Sequence, residues 1–223
     1  MRKLIKYLAG KTIQPIVARY LSQTRVYTYN SIKLTIPPDV FHPAFFFSTH
    51  LLLRYISGIP LSQKKLLELG AGNGLIAMST ARMGAIVTAT DINKNAIKYL
   101  ADNAAKNQLP LTIIYSNLFD HIPVQQFDII AINPPYYKKD PHTDAAYAWY
   151  CGGNGEYFVK LFQQLGSYIG PHSQVLMILS EDCDIGMIAS LADRASYSMS
   201  LIRSYRRLWE RLYLYTITSA PAV

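Results

Sequence analysis

The 223-residue sequence predicts an α/β fold: a doubly wound, mostly parallel seven-stranded sheet with an antiparallel C-terminal strand, preceded by a short helix and hairpin extension. Three observations predict it. From Lys65 onward, short apolar runs alternate strictly with amphipathic stretches, the pattern of strands joined by crossover helices. A glycine-rich turn, Glu68-Leu-Gly-Ala-Gly-Asn-Gly74, follows the first of those strands. The last two strands lie too close together for a parallel crossover, so one must run antiparallel.

In chain order, residues 3 to 22 are expected to form one or two short helices, broken near Gly10 and Pro15. Arg25 to Ile36 alternates apolar and polar residues and predicts a hairpin with its turn at Asn30 and Ser31; Pro37 and Pro38 end it. Phe45 to Ile56 predicts a helix packed over the main domain. The sheet strands are expected at Lys65–Leu69, Ala85–Thr90, Leu111–Tyr115, Phe127–Ile132, Gln174–Leu179, Met199–Arg206 and Trp209–Thr218. Helices are expected at Leu75–Arg82, Asn93–Asn107, Glu156–Ile169 and Asp184–Ala195. The division that follows is a basic extension over residues 1–40 and a catalytic domain over 41–223.

Half of the residues are apolar and 16% are charged, which excludes a disordered chain. Cys151 and Cys183 lie far apart without a C-x-x-C pattern, which argues against a disulfide scaffold or zinc ribbon and fits a reducing, cytoplasmic setting. The five histidines show no metal-ligand spacing, so no metal is expected. No apolar run reaches the roughly 18 residues of a membrane span, so no membrane partner is expected either.

The net charge of +8 is uneven. Residues 1–38 hold Arg2, Lys3, Lys6, Lys11, Arg19, Arg25 and Lys33 and no acid, and Arg203, Arg206, Arg207 and Arg211 cluster near the C-terminus. This fits a polyanionic or ribosome-associated partner, or simply a solvated surface. A transit peptide is the third reading, opposed by Leu4, Ile5, Leu8, Ile13, Ile16, Val17 and Tyr20, whose helical spacing suits docking on a core.

In the glycine turn, Gly70 and Gly72 permit close backbone approach, and the helix from Leu75 is expected to aim its first N–H groups at a ligand. A dinucleotide fingerprint would place its third glycine at position 75, where this chain has Leu75. Asp91 ends the second sheet strand, twenty-one residues after Gly70, where an acid meets ribose hydroxyls in doubly wound folds; its bland alternative is a helix N-cap, a role for which Asn93 competes.

Asn133-Pro-Pro-Tyr136 is the most specific segment. Its prolines fix two φ angles and remove two donors, so the Asn133 side chain and neighbouring carbonyls stand as rigid acceptors at a strand end beside an aromatic ring. That arrangement suits a planar NH2 group. If Asn133 Oδ1 and the Pro134 carbonyl each accept one N–H, the nitrogen lone pair turns from its delocalised state toward an electrophile. Tyr136 is expected to stack on the planar group, with its hydroxyl uninvolved in capture.

Together these motifs resemble the Rossmann-like class I S-adenosylmethionine-dependent methyltransferases that modify amide or exocyclic amine nitrogens. Trp149-Tyr-Cys-Gly-Gly-Asn-Gly-Glu156, Val40-Phe-His-Pro43 and Ser48-Thr-His-Leu-Leu-Leu53 make the HemK-type and small-methyltransferase group the nearest likeness, over roughly residues 26 to 180. Two departures stand out: Asn117 replaces the usual Asp, and the bacterial release-factor enzymes carry a helical bundle that some 25 residues here cannot form.

The resemblance implies S-adenosyl-L-methionine as cofactor, with S-adenosyl-L-homocysteine as product. Glu68, Thr49, Gly70, Ala71, Gly72, Asp91, Ile92, Asn117, Leu118 and Asn133 would bind it, Glu68 accepting from its ammonium through water and Leu118 with Phe119 lining the adenine pocket. Asn133, Pro134 and Tyr136 would be catalytic, and Pro135, Tyr136, Tyr137 and Trp149 would bind substrate. The expected activity is N-methylation of a protein glutamine amide, as in release factors. Guanine N2 or adenine N6 of ribosomal RNA, transfer RNA or DNA is the alternative, and a non-catalytic S-adenosylmethionine-binding subunit is the reading of another class.

Overall fold

The computed structural model describes residues 19–38, 40–44, 47–206 and 210–219. Most of the helical stretch expected over residues 3 to 22 lies outside them, as do Phe45 and Trp209. Nine strands and five α-helices are named here in chain order. β1 (Arg25–Tyr29) and β2 (Ile32–Ile36) form a separate antiparallel hairpin. Its two-residue turn is Asn30 and Ser31, both at positive φ (43° and 68°), the conformation whose twist suits adjoining strands.

Helix α1 (Phe47–Ile56) leads to β3 (Lys65–Leu69), α2 (Leu75–Arg82), β4 (Ile86–Asp91), α3 (Lys94–Lys106), β5 (Leu111–Tyr115) and β6 (Ile129–Ile132). Then follow α4 (Glu156–Leu165), β7 (Gln174–Ser180), α5 (Ile185–Arg194), β8 (Tyr197–Arg206) and β9 (Arg211–Ser219). The sheet order is β5-β4-β3-β6-β7-β9-β8, parallel from β5 through β7. β9 is antiparallel to both neighbours, inserted between β7 and β8. The predicted seven-stranded sheet is therefore present, with β9 the strand that reverses.

The two faces of the sheet carry separate cores. Leu66, Val87, Ala89, Ile129 and Ala131 pack with α1, α2 and the hairpin on one side. Leu67, Leu69, Ile130, Ile132 and Met177 pack with Phe158, Phe162 and Ile188 on the other. Burial on both faces explains why the central strands are continuous apolar runs and not alternating ones.

The hairpin, grouped above with the basic extension, is part of the first core: Ile32, Leu34 and Ile36 are fully buried in it. Asn103 of α3 and the C-cap of that helix, Asn107, hold it there. Asn103 accepts from Thr35 N (2.8 Å) and donates to Thr35 O (2.9 Å); Asn107 does the same with Lys33 N and O (3.0 and 2.8 Å). Each carboxamide thus replaces a neighbouring strand for an otherwise unpaired edge residue. Asn103→Ala should strand both Thr35 groups and lower stability by about 2–4 kcal/mol in urea unfolding. Asn107→Ala, at a more exposed site, should cost clearly less.

Candidate active site

The chain leaves β3 toward β4 and β5 on one side and later returns to place β6 on the other. The C-terminal ends of β3 and β6 therefore flank the switch point where open α/β sheets bind ligands. Leu69 pairs with Ile132, so Gly70 and Asn133, the next residues, emerge side by side. One cleft opens there. It is lined by Thr49, Glu68, Gly70, Ala71, Gly72, Asp91, Ile92, Asn117, Leu118, Asn133, Pro134, Pro135, Tyr136, Tyr137 and Trp149, which brings every candidate site residue of the sequence into one place. Phe119 is the exception among the residues expected at an adenine pocket. It lies beneath the loop, stacked on Tyr168 at 4.4 Å.

Asp91 organises the glycine turn. Its Oδ2 accepts from Gly72 N and its Oδ1 from Asn93 N, both at 2.8 Å, while Ala71 N donates to Thr90 O. The N-cap of α3 is Asn93, whose Oδ1 accepts from Asn95 N and Ala96 N, so Asp91 does not serve as that cap. Gly70 has φ 71°, and a Cβ there would point into space with no atom within 4 Å. Gly74, at φ 77°, is a packing glycine, because a Cβ would run into Leu100. Beyond β5, Leu118 takes a left-handed φ of 55°, held by Ser116 Oγ donating to Leu118 O, and this turn sets Asn117 against the cleft. Strained backbone of this kind concentrates at ligand sites.

The start of α2 departs from expectation. The Leu75 and Ala77 N–H groups do not face a ligand: Asn73 Oδ1 accepts the first (2.9 Å) and Glu68 Oε2 the second (2.8 Å). Glu68 is therefore a helix cap as well as a wall of the cleft. Burial pushes its carboxyl up to about 8; the Ala77 N–H opposes that and the Asp91 charge adds to it. Between pH 4.5 and 8 the folded chain holds this proton while the unfolded chain releases it, so stability should fall as pH rises through that window. Urea unfolding should show a loss approaching 1.4 kcal/mol per pH unit at the steepest point, absent in Glu68→Gln.

At the opposite wall, Asn133 Nδ2 donates to Ser48 Oγ (3.1 Å) and the Tyr136 hydroxyl donates to Asn133 Oδ1 (2.9 Å). The Tyr136 hydroxyl, for which the sequence suggested no part in substrate capture, is thus bonded to the acceptor it sits beside. Burial drives that phenol strongly upward, so it remains a donor. Further out, Tyr137 N donates to Trp149 O, and Tyr137 and Tyr150 form a parallel bridge that ties the loop after Tyr136 to the Gly-Gly-Asn-Gly turn. Trp149 packs on Phe41 at 5.4 Å, and the exposed rings of Tyr137 and Tyr147 complete an aromatic mouth.

Sequence reasoning missed several cleft residues. Phe41, Tyr147, Tyr157 and Glu210 reach it from four separate segments. Tyr157 sits where helical periodicity reads as core, and Glu210 arrives through the β8–β9 connection, so no local signal marks either. Ser48 lies within a segment quoted for its family likeness, without a role attached.

Comparison with known proteins agrees with this geometry. A chain of Methanocaldococcus jannaschii provisionally designated protein N5-glutamine methyltransferase is 37% identical over 106 residues, covering 47% of this chain and 51% of that one. The release factor glutamine methyltransferase of Lactococcus lactis is 45% identical over 78 residues, 34% of this chain and 28% of its own length. This chain thus spans about half, or less, of the curated relatives it matches.

Among solved structures, the E. cuniculi Mtq2–Trm112 complex responsible for methylation of the eRF1 termination factor superposes with a TM-score of 0.63 at 20% identity. The match covers 82% of this chain and 99% of that one. The T. thermophilus 16S rRNA N2 G1207 methyltransferase, solved with AdoMet and guanosine, gives a TM-score of 0.62 at 16% identity, over 89% and 50%. At these identities the two structures establish the fold alone. The methyltransferase small domain model matches residues 32–150, more than half of the chain and the span that carries the glycine turn, Asp91 and Asn133-Pro-Pro-Tyr136. On that match, this chain is a member of the methyltransferase small domain family.

Proposed function

We propose that this chain is an S-adenosylmethionine-dependent N-methyltransferase whose substrate is the side-chain amide of a glutamine in a release-factor-like protein. One observation carries the reading: Asn133 stands beside Gly70 across the β3–β6 junction with its carboxamide held on both sides. The cofactor fits the residues present. Open space over Gly70 admits it, the Asp91 carboxylate lines the cleft at the end of β4, and Asn117 offers an amide oxygen as an acceptor. Glu68, Thr49, Ala71, Gly72, Ile92 and Leu118 complete its walls. Bound there, S-adenosylmethionine supplies an electrophilic sulfonium methyl.

The chain's own residues do the rest. Asn133 Oδ1 and the Pro134 carbonyl accept the two N–H groups of the substrate amide and turn its lone pair toward the cofactor; Tyr136, Pro135, Tyr137 and Trp149 bound the planar group. Capture of this sort needs no general base, because the acceptors stabilise charge as it develops on nitrogen. An ammonium group near Glu68 favours the carboxylate, so cofactor binding releases a proton from that buried acid below pH 8.

The alternative substrate, an exocyclic amine of guanine or adenine, draws on the charge at the sheet edge. Arg206 pairs directly with Arg211 across β8 and β9, both exposed, and Glu210, next to Arg211, lines the cleft. The basic residues 1–38 are proposed to assist docking of the macromolecular substrate, at the ribosome or elsewhere. Labelled S-adenosylmethionine incubated with separated protein, ribosomal RNA and transfer RNA fractions tests the choice. Label is expected in protein and should decline as salt is raised. Label in RNA would overturn the amide reading, and no label in any fraction would favour a non-catalytic subunit.

A further inference from the structure

Two hydrogen bonds hold the Asn133 carboxamide at the reacting end of the cleft, one on each edge. Asn133 Nδ2 donates to Ser48 Oγ at 3.1 Å, and the Tyr136 hydroxyl donates to Asn133 Oδ1 at 2.9 Å. The carboxamide is thus held at both edges, its NH2 by the serine and its oxygen by the phenol.

The two edges face different surroundings. Ser48, on the first turn of α1, is 3% exposed and does not line the cleft, whereas Tyr136 does. The carboxamide thus sets its NH2 edge on the buried serine and its oxygen edge on the phenol that lines the cleft. Turned over, it would present Nδ2 to an incoming N–H, donor against donor. Oδ1 has two lone pairs, and the phenol takes one of them.

We propose that Ser48 and the Tyr136 hydroxyl are positioning residues that lock the Asn133 carboxamide oxygen-first toward the cleft, leaving it one acceptor lone pair for an NH2 substrate. The substrate half of this inference rests on the N-methyltransferase reading; the geometric half does not. Ser48 is the less expected member, because it lies 85 positions upstream of Asn133 and outside the sheet that carries the cofactor motifs.

The test uses the full chain with Ser48→Ala, Tyr136→Phe, the double variant and Ser48→Thr. The first readout needs no substrate. The Asn133 side-chain NH2 signals in nitrogen-15 spectra, assigned by their loss in Asn133→Ala, should include one proton exchanging at least tenfold more slowly than in an exposed asparagine. Ser48→Ala should abolish that protection and Ser48→Thr should keep it.

The second readout is methyl transfer to the labelled protein fraction at varied acceptor concentration. Each single variant should lower kcat about tenfold, with KM and S-adenosylhomocysteine affinity within twofold. The double variant should be worse than either single, because each hydroxyl holds a different edge of the carboxamide. Unprotected Asn133 protons in the parent chain, or single variants that leave kcat within twofold, would overturn the inference. Should the parent chain methylate nothing, the N-methyltransferase reading falls while proton exchange still decides the geometry. Should Ser48→Ala fail to fold, parent-chain exchange and the kcat-against-KM split of Tyr136→Phe decide it.

Discussion

Asn133→Ala is expected to lower methyl transfer by about 10²-fold or more while S-adenosylmethionine affinity stays within a few-fold. The carboxamide oxygen is fixed by Tyr136 and its NH2 by Ser48, so it reorganises little when substrate arrives. An acceptor held this way contributes most where charge develops on the attacking nitrogen, which is in the transition state. Asn133→Asp keeps an oxygen for the phenol but places a carboxylate oxygen against Ser48, which must then donate where it had accepted. It should recover part of the rate and not all of it. Single-turnover rates alongside calorimetric cofactor titration check both points. A variant that loses cofactor but keeps its rate would make Asn133 a binding residue.

The second large effect falls on Asp91. Asp91→Ala should weaken S-adenosylmethionine binding by one to two orders of magnitude, consistent with about 1.5–3 kcal/mol of charged hydrogen bonding. Asp91→Asn should be nearly as damaging. Both carboxylate oxygens accept backbone N–H groups at 2.8 Å, so an amide would set its own NH2 against either Gly72 N–H or Asn93 N–H. The substitution thus disturbs the glycine turn as well as any ribose contact. Calorimetry on folded variants measures it, and unchanged affinity would remove Asp91 from the cofactor site.

These two residues are also where the sequence was most legible. Asp91 ends β4 a set distance after a glycine turn, and Asn133 follows β6 directly before two prolines, so the backbone demands around both show in the residue types themselves. The sheet was legible for a similar reason, since strands buried on both faces leave unbroken apolar runs. What escaped depends on contacts between distant segments. Glu68 sits in a familiar position, but nothing local shows that it caps α2 through Ala77, because Gly74 has no side chain to do so.

Asn103 and Asn107 look like the solvated face of an amphipathic helix until the hairpin edge is placed against them. That placement makes residues 25–36 part of the domain core, although their composition groups them with the basic N-terminus. The bond of the Tyr136 hydroxyl to Asn133 was not legible, because stacking shows in an aromatic beside a planar-group trap whereas this bond depends on a tertiary arrangement completed by Ser48.

The central claim is that Asn133 and Pro134 grip a planar NH2 group for methylation on nitrogen. Fragmentation mass spectrometry of the product formed with labelled S-adenosylmethionine tests it most directly by locating the methyl group. The account predicts that the label lies on the side-chain amide nitrogen of a glutamine in a protein. A methyl group on a carboxylate, a hydroxyl or a carbon would contradict it.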